Sequence, residues 1–145
     1  MALADYLARD GYRRVPLARN GLGHFHAAGS LDGRPVAVLI DTGAASTLVS
    51  LALARELGLA LVKLPITGGG AGGTNLEIFH APNAQLTLGD VVLRPRALMA
   101  MDLAHVNQAL AMKGESPVEA ILGVDVFDTQ AAVIDYGSSS LFLKE

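Results

Sequence analysis

Val38-Leu39-Ile40-Asp41-Thr42-Gly43-Ala44 sends an apolar run directly into a carboxylate, a hydroxyl and a glycine. β-Branched and aliphatic residues ending in Asp are the signature of a buried strand that carries a charged group to the protein interior. A carboxylate there is costly unless hydrogen bonds and a partner hold it. Thr42, through its hydroxyl, and Gly43, through its backbone N–H, therefore count as much as Asp41. These residues make Asp41 a candidate catalytic group and one half of a site. A plain strand ending in an Asp-Thr-Gly turn is the competing reading.

Upstream, Leu31-Asp32-Gly33-Arg34 is a hairpin turn that feeds this strand, with Asp-Gly where positive φ is tolerated. Tyr12 to Leu17 is strand-like up to a turn at Asn20-Gly21, and Gly23 to Ala27 resumes with alternation after it. His24 and His26 share a face of that strand, a possible metal pair. Without a third ligand they read as a half-solvated face, and no metal or other cofactor is expected. Ala2 to Arg9 reads as a short terminal helix stopped by Asp10-Gly11.

Downstream, a short strand leads to a helix capped by Ser50, running from Leu51 to Leu57 and stopped by Gly58. A strand from Leu61 to Ile66 then enters Thr67-Gly68-Gly69-Gly70-Ala71-Gly72-Gly73-Thr74. A dinucleotide-binding loop would have to open a helix, whereas Asn75 to Phe79 alternates like a strand. A Walker loop would need Lys where Gly73 stands. What is left is either an inert flexible loop or a hairpin tip able to bend over a ligand.

In the last third, Asn83 to Leu88 alternates, Gly89-Asp90 turns, and Val91 to Met101 reads as one strand with Pro95 at an edge or bulge. Asp102 is placed to cap a helix with Leu103, Val106 and Leu110 on one stripe and Gly114 and Pro117 at its end. His105 on it reads as exposed or satisfied. Ala120-Ile121-Leu122-Gly123 is an apolar strand whose glycine marks close backbone approach, and one or two helical turns follow over Val124 to Thr129. A terminal hairpin joins Ala132–Asp135 to Leu141–Leu143. The sum is a mainly β, mostly antiparallel domain.

Composition bounds the function. The chain has 145 residues, 51% hydrophobic and 17% charged, which suits one aliphatic-packed domain. A net charge of -3 argues against nucleic acid or an anionic membrane as partner. The absence of cysteine removes thiol catalysis, disulfides and Cys-ligated zinc. No stretch has the length of a membrane span, and the N-terminus shows no signal peptide. A cytoplasmic location is expected, or a periplasmic one if the chain is a trimmed piece of a longer protein.

Three stretches coincide in order: the apolar strand into Asp41-Thr42-Gly43-Ala44, the glycines Gly69-Gly70-Ala71-Gly72-Gly73 between strands, and Ile121-Leu122-Gly123 before a short helix. Together they resemble the retropepsin-like aspartic proteases, and more closely their bacterial single-domain relatives. The resemblance spans roughly residues 23 to 143. It implies a single-domain acid protease fold, a closed antiparallel β barrel with one or two short helices, in which residues 1–22 are an appendage with a first strand and 23–145 the protease domain.

The resemblance also implies the chemistry. The family hydrolyses peptide bonds with two carboxylates that share one proton, one activating a water and the other protonating the carbonyl oxygen. This sequence holds one Asp-Thr-Gly; Asp135-Tyr136-Gly137 is the nearest second copy, with Tyr in place of the small hydroxyl residue. The implied enzyme is therefore an endopeptidase acting as a homodimer, with Asp41 and its mate on the two-fold axis. Thr42 would fix the two loops across the dimer, and Gly43 would bring N–H groups to the dyad. Ala44, Ala45 and Ser46, the flap residues Gly69, Gly70, Ala71, Gly72 and Gly73, and Ile121, Leu122 and Gly123 would contact an extended peptide.

One departure stands out. Retroviral members carry an acid and an Arg at the positions of Ala45 and Val124, where they pair; here both are replaced together, so no orphan charge remains and an apolar contact is the expected substitute. The helix after Asp102 is an addition to the short viral enzymes, read as packed on the sheet or as a specificity wall. The competing function is a catalytically inactive peptide-binding or dimerisation module with the same fold.

Overall fold

The computed structural model describes residues 2–70 and 73–145, with backbone alone over 68–70 and 73–75. Along the chain run α1 (Leu3–Arg9), β1 (Tyr12–Pro16), β2 (Ala18–Arg19), β3 (Phe25–Leu31), β4 (Arg34–Ile40), β5 (Leu48–Ser50) and α2 (Leu51–Glu56). Then come β6 (Val62–Gly70), β7 (Gly73–His80), β8 (Leu86–Leu88), β9 (Val91–Val92), β10 (Met99–Met101) and α3 (Ala104–Met112). β11 (Ala120–Leu122), α4 (Val124–Thr129), β12 (Val133–Asp135) and β13 (Ser140–Lys144) complete it.

The fold is mainly β, as expected, and it curls a ten-stranded sheet in the order β6-β7-β10-β5-β11-β4-β3-β8-β9, with β2 on β3. In detail it departs from a closed antiparallel barrel with one or two helices. The order is an open path among the described residues, four short helices are present, and two pairings, β4 with β11 and β5 with β10, are parallel. The parallel pairs arise because β10 and β11 each join their partner after long intervening segments instead of a tight turn.

Sequence cues and backbone agree at the turns. Asp32 (φ +47°) and Gly33 (φ +85°) both occupy the left-handed region, the geometry of a two-residue hairpin between β3 and β4. Ser50 Oγ accepts from the Leu53 N–H at 3.3 Å and starts α2. Asp102 sits one residue earlier than a cap: Leu103 holds that position, while Asp102 Oδ1 accepts the Ala104 N–H at 2.8 Å.

The segment from Val91 to Met101 is not one strand. Only Val91–Val92 and Met99–Met101 pair, and Pro95 lies in the irregular stretch between them. The buried Gln130 side chain takes over there: its Oε1 accepts the Arg94 N–H at 2.8 Å and its Nε2 donates to the carbonyls of Val92 and Lys144. One amide thus satisfies backbone that a strand ladder would otherwise have satisfied.

A second, three-stranded sheet, β1-β13-β12, joins the start of the chain to its last strand, from Tyr12 opposite Lys144 to Pro16 opposite Ser140. Arg19 ties it to the main sheet, with its guanidinium 4.7 Å from the Phe25 ring centroid and 5.0 Å from that of Tyr136. The core lies inside the curl. On β4 the period of two puts Val36, Val38 and Ile40 into it, and β11 contributes Ala120 and Leu122. Among the described residues no helix is long and apolar enough to cross a membrane.

Candidate active site

The same alternation that buries Val38 and Ile40 turns Leu39 and then Asp41 to the other face, where both line a cleft of about 770 Å³. Asp41 is therefore half-buried at a cleft wall and not enclosed in the interior. Its backbone N–H donates to the Leu122 carbonyl at 3.0 Å, extending the parallel register of β4 and β11 by one bond. Its Oδ1 accepts the Gly43 N–H at 2.8 Å, and the Ala44 N–H closes the turn onto the Asp41 carbonyl at 3.2 Å. The carboxylate is oriented by backbone alone, which leaves Oδ2 free of any protein hydrogen bond among the described residues.

The loop from Asp41 to Thr47 rests on the end of β11. Val124 N–H donates to the Ala44 carbonyl at 2.8 Å, and a Cβ on Gly123 would lie 2.7 Å from the Ser46 carbonyl oxygen and 2.8 Å from that of Ala44. Glycine is required there because two backbones touch. Backbone hydrogen bonding joins the two segments next to the positions of Ala45 and Val124.

Beneath the loop lies a polar group that the sequence did not single out. Thr47, fully buried, donates from Oγ1 to Asp125 Oδ1 at 2.7 Å and accepts the Gly123 N–H at 3.1 Å. Asp125, 4% exposed, also accepts the Val126 N–H at 2.9 Å, so a buried carboxyl is held by a hydroxyl and a helix N-terminus. Thr47→Val keeps the shape and deletes the hydroxyl, leaving Asp125 and the Gly123 N–H each short of a partner. It is expected to destabilise the fold by about 2–3 kcal/mol, measured by denaturant unfolding, with Thr47→Ser close to wild type.

The cleft is mostly apolar, walled by Leu39, Leu48, Ile78, Met101 and Ile121 from the strands. α3 adds Val106, Ala109 and Leu110, spaced i, i+3 and i+4 along one face, and its C-cap residue Lys113 lines the cleft too. The turn between β2 and β3 adds Leu22 and His24. Of the two readings of this helix, packed on the sheet or a specificity wall, its lining of the cleft fits the second, and His105, read as exposed or satisfied, lines the cleft as well. Only the i+3/i+4 pattern of the helix could have hinted at this, and it does not say which surface the stripe meets.

Of the sequence-chosen residues, Asp41, Gly43, Ala44, Ala45, Ser46 and Ile121 line the cleft. Thr42 is exposed and does not line it, Leu122 is buried in the core, and Gly123 lies behind the loop as its support. Gly69, Gly70 and Gly73 fall in the hairpin arms β6 and β7, which pair as far as Gly70 opposite Gly73. Ala71 and Gly72 lie outside the described residues. Within the arms, Lys63 bonds Glu77 at 2.8 Å, and that hydrogen bond and charge hold the Glu77 carboxyl below its ordinary range. Its contribution is present above the ordinary carboxylate range and lost as pH falls through the lowered value; both side chains are largely exposed, so it is small.

Asp135-Tyr136-Gly137 repeats the local turn without the setting. Asp135 Oδ1 accepts the Gly137 N–H at 3.1 Å, much as Asp41 does with Gly43, and Ser138 Oγ donates to Oδ2 at 2.6 Å. That turn joins β12 to β13 in the small sheet and does not border the cleft. His24, which precedes β3, lines the cleft, while His26, on β3, borders a separate groove.

A family model described as aspartyl protease matches residues 27–126. No curated protein matches the chain. Among solved structures, a retropepsin-like aspartic protease from Rickettsia conorii aligns with a TM-score of 0.55 at 17% identity, over 91% of this chain and 90% of that one. The retroviral protease-like domain of Ddi1 from Leishmania major aligns at 0.55 and 15% identity, over 81% and 86%. The protease of EIAV, in complex with the inhibitor HBY-793, aligns at 0.51 and 23% identity, over 77% and 92%. These likenesses give the fold, and the family model, spanning both Asp41 and Gly123, gives the lineage: the chain belongs to the aspartyl protease family and has its retropepsin-like fold.

Proposed function

We propose that the protein is an aspartic endopeptidase whose active site forms between two copies of the chain, each supplying Asp41. The observation that carries this is a peptide-sized, largely apolar cleft bordered, among the described residues, by a single carboxylate, set in a loop whose backbone fixes its orientation. One carboxylate cannot both take a proton from water and give one to the carbonyl oxygen in the same step; two that share a proton can. Like charges close together resist double ionisation, which keeps such a pair singly protonated over a range of pH.

In this mechanism one Asp41 draws a proton from a water held between the pair while its mate protonates the peptide carbonyl, and no covalent intermediate forms. The Gly43 N–H, fixed on Oδ1, leaves Oδ2 for the water and the shared proton. Exposed Thr42 is available to the partner's loop, where its hydroxyl would lock the two turns together. The peptide would lie extended between the loop Ala44–Ser46, Ile121 and the wall of α3, with the arms of β6 and β7, which pair as far as Gly70 opposite Gly73, closing over it.

The test is cleavage of a diverse peptide pool across a dilution series, with size measured in parallel. Activity per mole of chain is expected to rise through the concentration range in which dimers form. Constant activity per mole in a sample that stays monomeric throughout would contradict the shared site.

A further inference from the structure

Apart from Asp41, every ionisable side chain that lines the cleft among the described residues is basic: His24, His105 and Lys113. Lys113, the residue that caps the C-terminal end of α3, is exposed and lines the cleft. Among the described residues it makes no ion pair, whereas the acids nearest the helix are engaged elsewhere. Glu115 Oε1 accepts the Gly21 N–H at 2.8 Å, bridging the end of α3 to the turn before β3, and Asp102 Oδ1 accepts the Ala104 N–H. Neither lines the cleft.

An unpaired cation beside an apolar trough selects for a ligand that brings its own anion, because a carboxylate gains attraction there while a cation is repelled. Resting on the protease reading above, we propose that the α3 wall makes this cleft selective for peptides carrying an acidic side chain beside the apolar residues that fill it, with Lys113 as the specificity determinant. The ammonium is exposed, so the preference is moderate and fades with salt.

The proposal is tested on binding, which does not require turnover. Full-length Asp41→Asn is titrated with matched fluorescent peptides that share an apolar centre and carry Glu, Gln or Lys at each flanking position in turn. At low salt the best Glu peptide is expected to bind about 3–10-fold tighter than its Gln counterpart, and Lys more weakly than Gln. In Lys113→Glu the order is expected to invert, and in Lys113→Met the Glu advantage is expected to disappear while binding of the neutral peptide persists. Equal binding of Glu, Gln and Lys peptides at every position, or a Glu preference that survives in both Lys113 variants, would overturn the proposal. If the preference is found but the wild-type chain cleaves none of these peptides, the acid-selecting cleft stands and the protease reading is the one that fails.

Discussion

Asp41→Asn is expected to reduce peptide cleavage by about 10³-fold or more while leaving the fold in place. The amide cannot accept a proton from water or hold the shared proton, so both halves of the chemistry are lost. Its Oδ1 can still accept the Gly43 N–H, and the contacts of the loop with Leu122 and Val124 are backbone contacts that the substitution does not touch. Unfolding of the variant should therefore superimpose on that of the wild type. A variant that keeps more than a tenth of the wild-type rate would remove Asp41 from the mechanism.

Gly123→Ala is expected to be the most damaging substitution to the frame of the site. The added methyl would meet the Ser46 and Ala44 carbonyl oxygens at 2.7 and 2.8 Å, and backbone cannot step aside as a side-chain end can. Either β11 moves away from the loop or the loop moves away from β11. The first breaks the Thr47–Gly123 hydrogen bond, and the second shifts Asp41 in the cleft. The expected cost is about 3 kcal/mol or more in unfolding free energy, with activity falling further than the folded fraction because a displaced carboxylate misses its partner. Gly43→Ala has a milder conflict, since its Cβ would meet only Asp41 Oδ1, at 3.2 Å.

Much of this was legible in the chain. An apolar strand ending in Asp, Asp-Gly at a hairpin, Ser before a helix and Gly after one are local signals, and β4, the turn at Asp32-Gly33 and α2 follow them closely. Gly123 was legible as a close approach, and what it approaches is the Asp41 loop, from behind. What the sequence hid is set by long-range pairing. Pro95 read as an edge or bulge of a strand, but a single Gln130 side chain, far along the chain, decides that its neighbourhood is irregular. Thr47 and Asp125 stand 78 positions apart and meet only because β4, β5 and β11 converge. Likewise the stripe on α3 was visible as a period, whereas its face-to-face placement with Leu39 and Ile121 depends on the curl of the sheet.

The claim at the centre is that one active site needs Asp41 from two chains. Wild type and Asp41→Asn can be mixed at constant total concentration, well above that at which dimers form, and allowed to exchange subunits before cleavage is measured. With the site shared and the mixed dimer inactive, activity falls as the square of the wild-type fraction, so an equal mixture retains about a quarter of the wild-type rate. An equal mixture that retains about half, with a linear fall across the series, would mean that each chain works alone and would contradict the shared dyad.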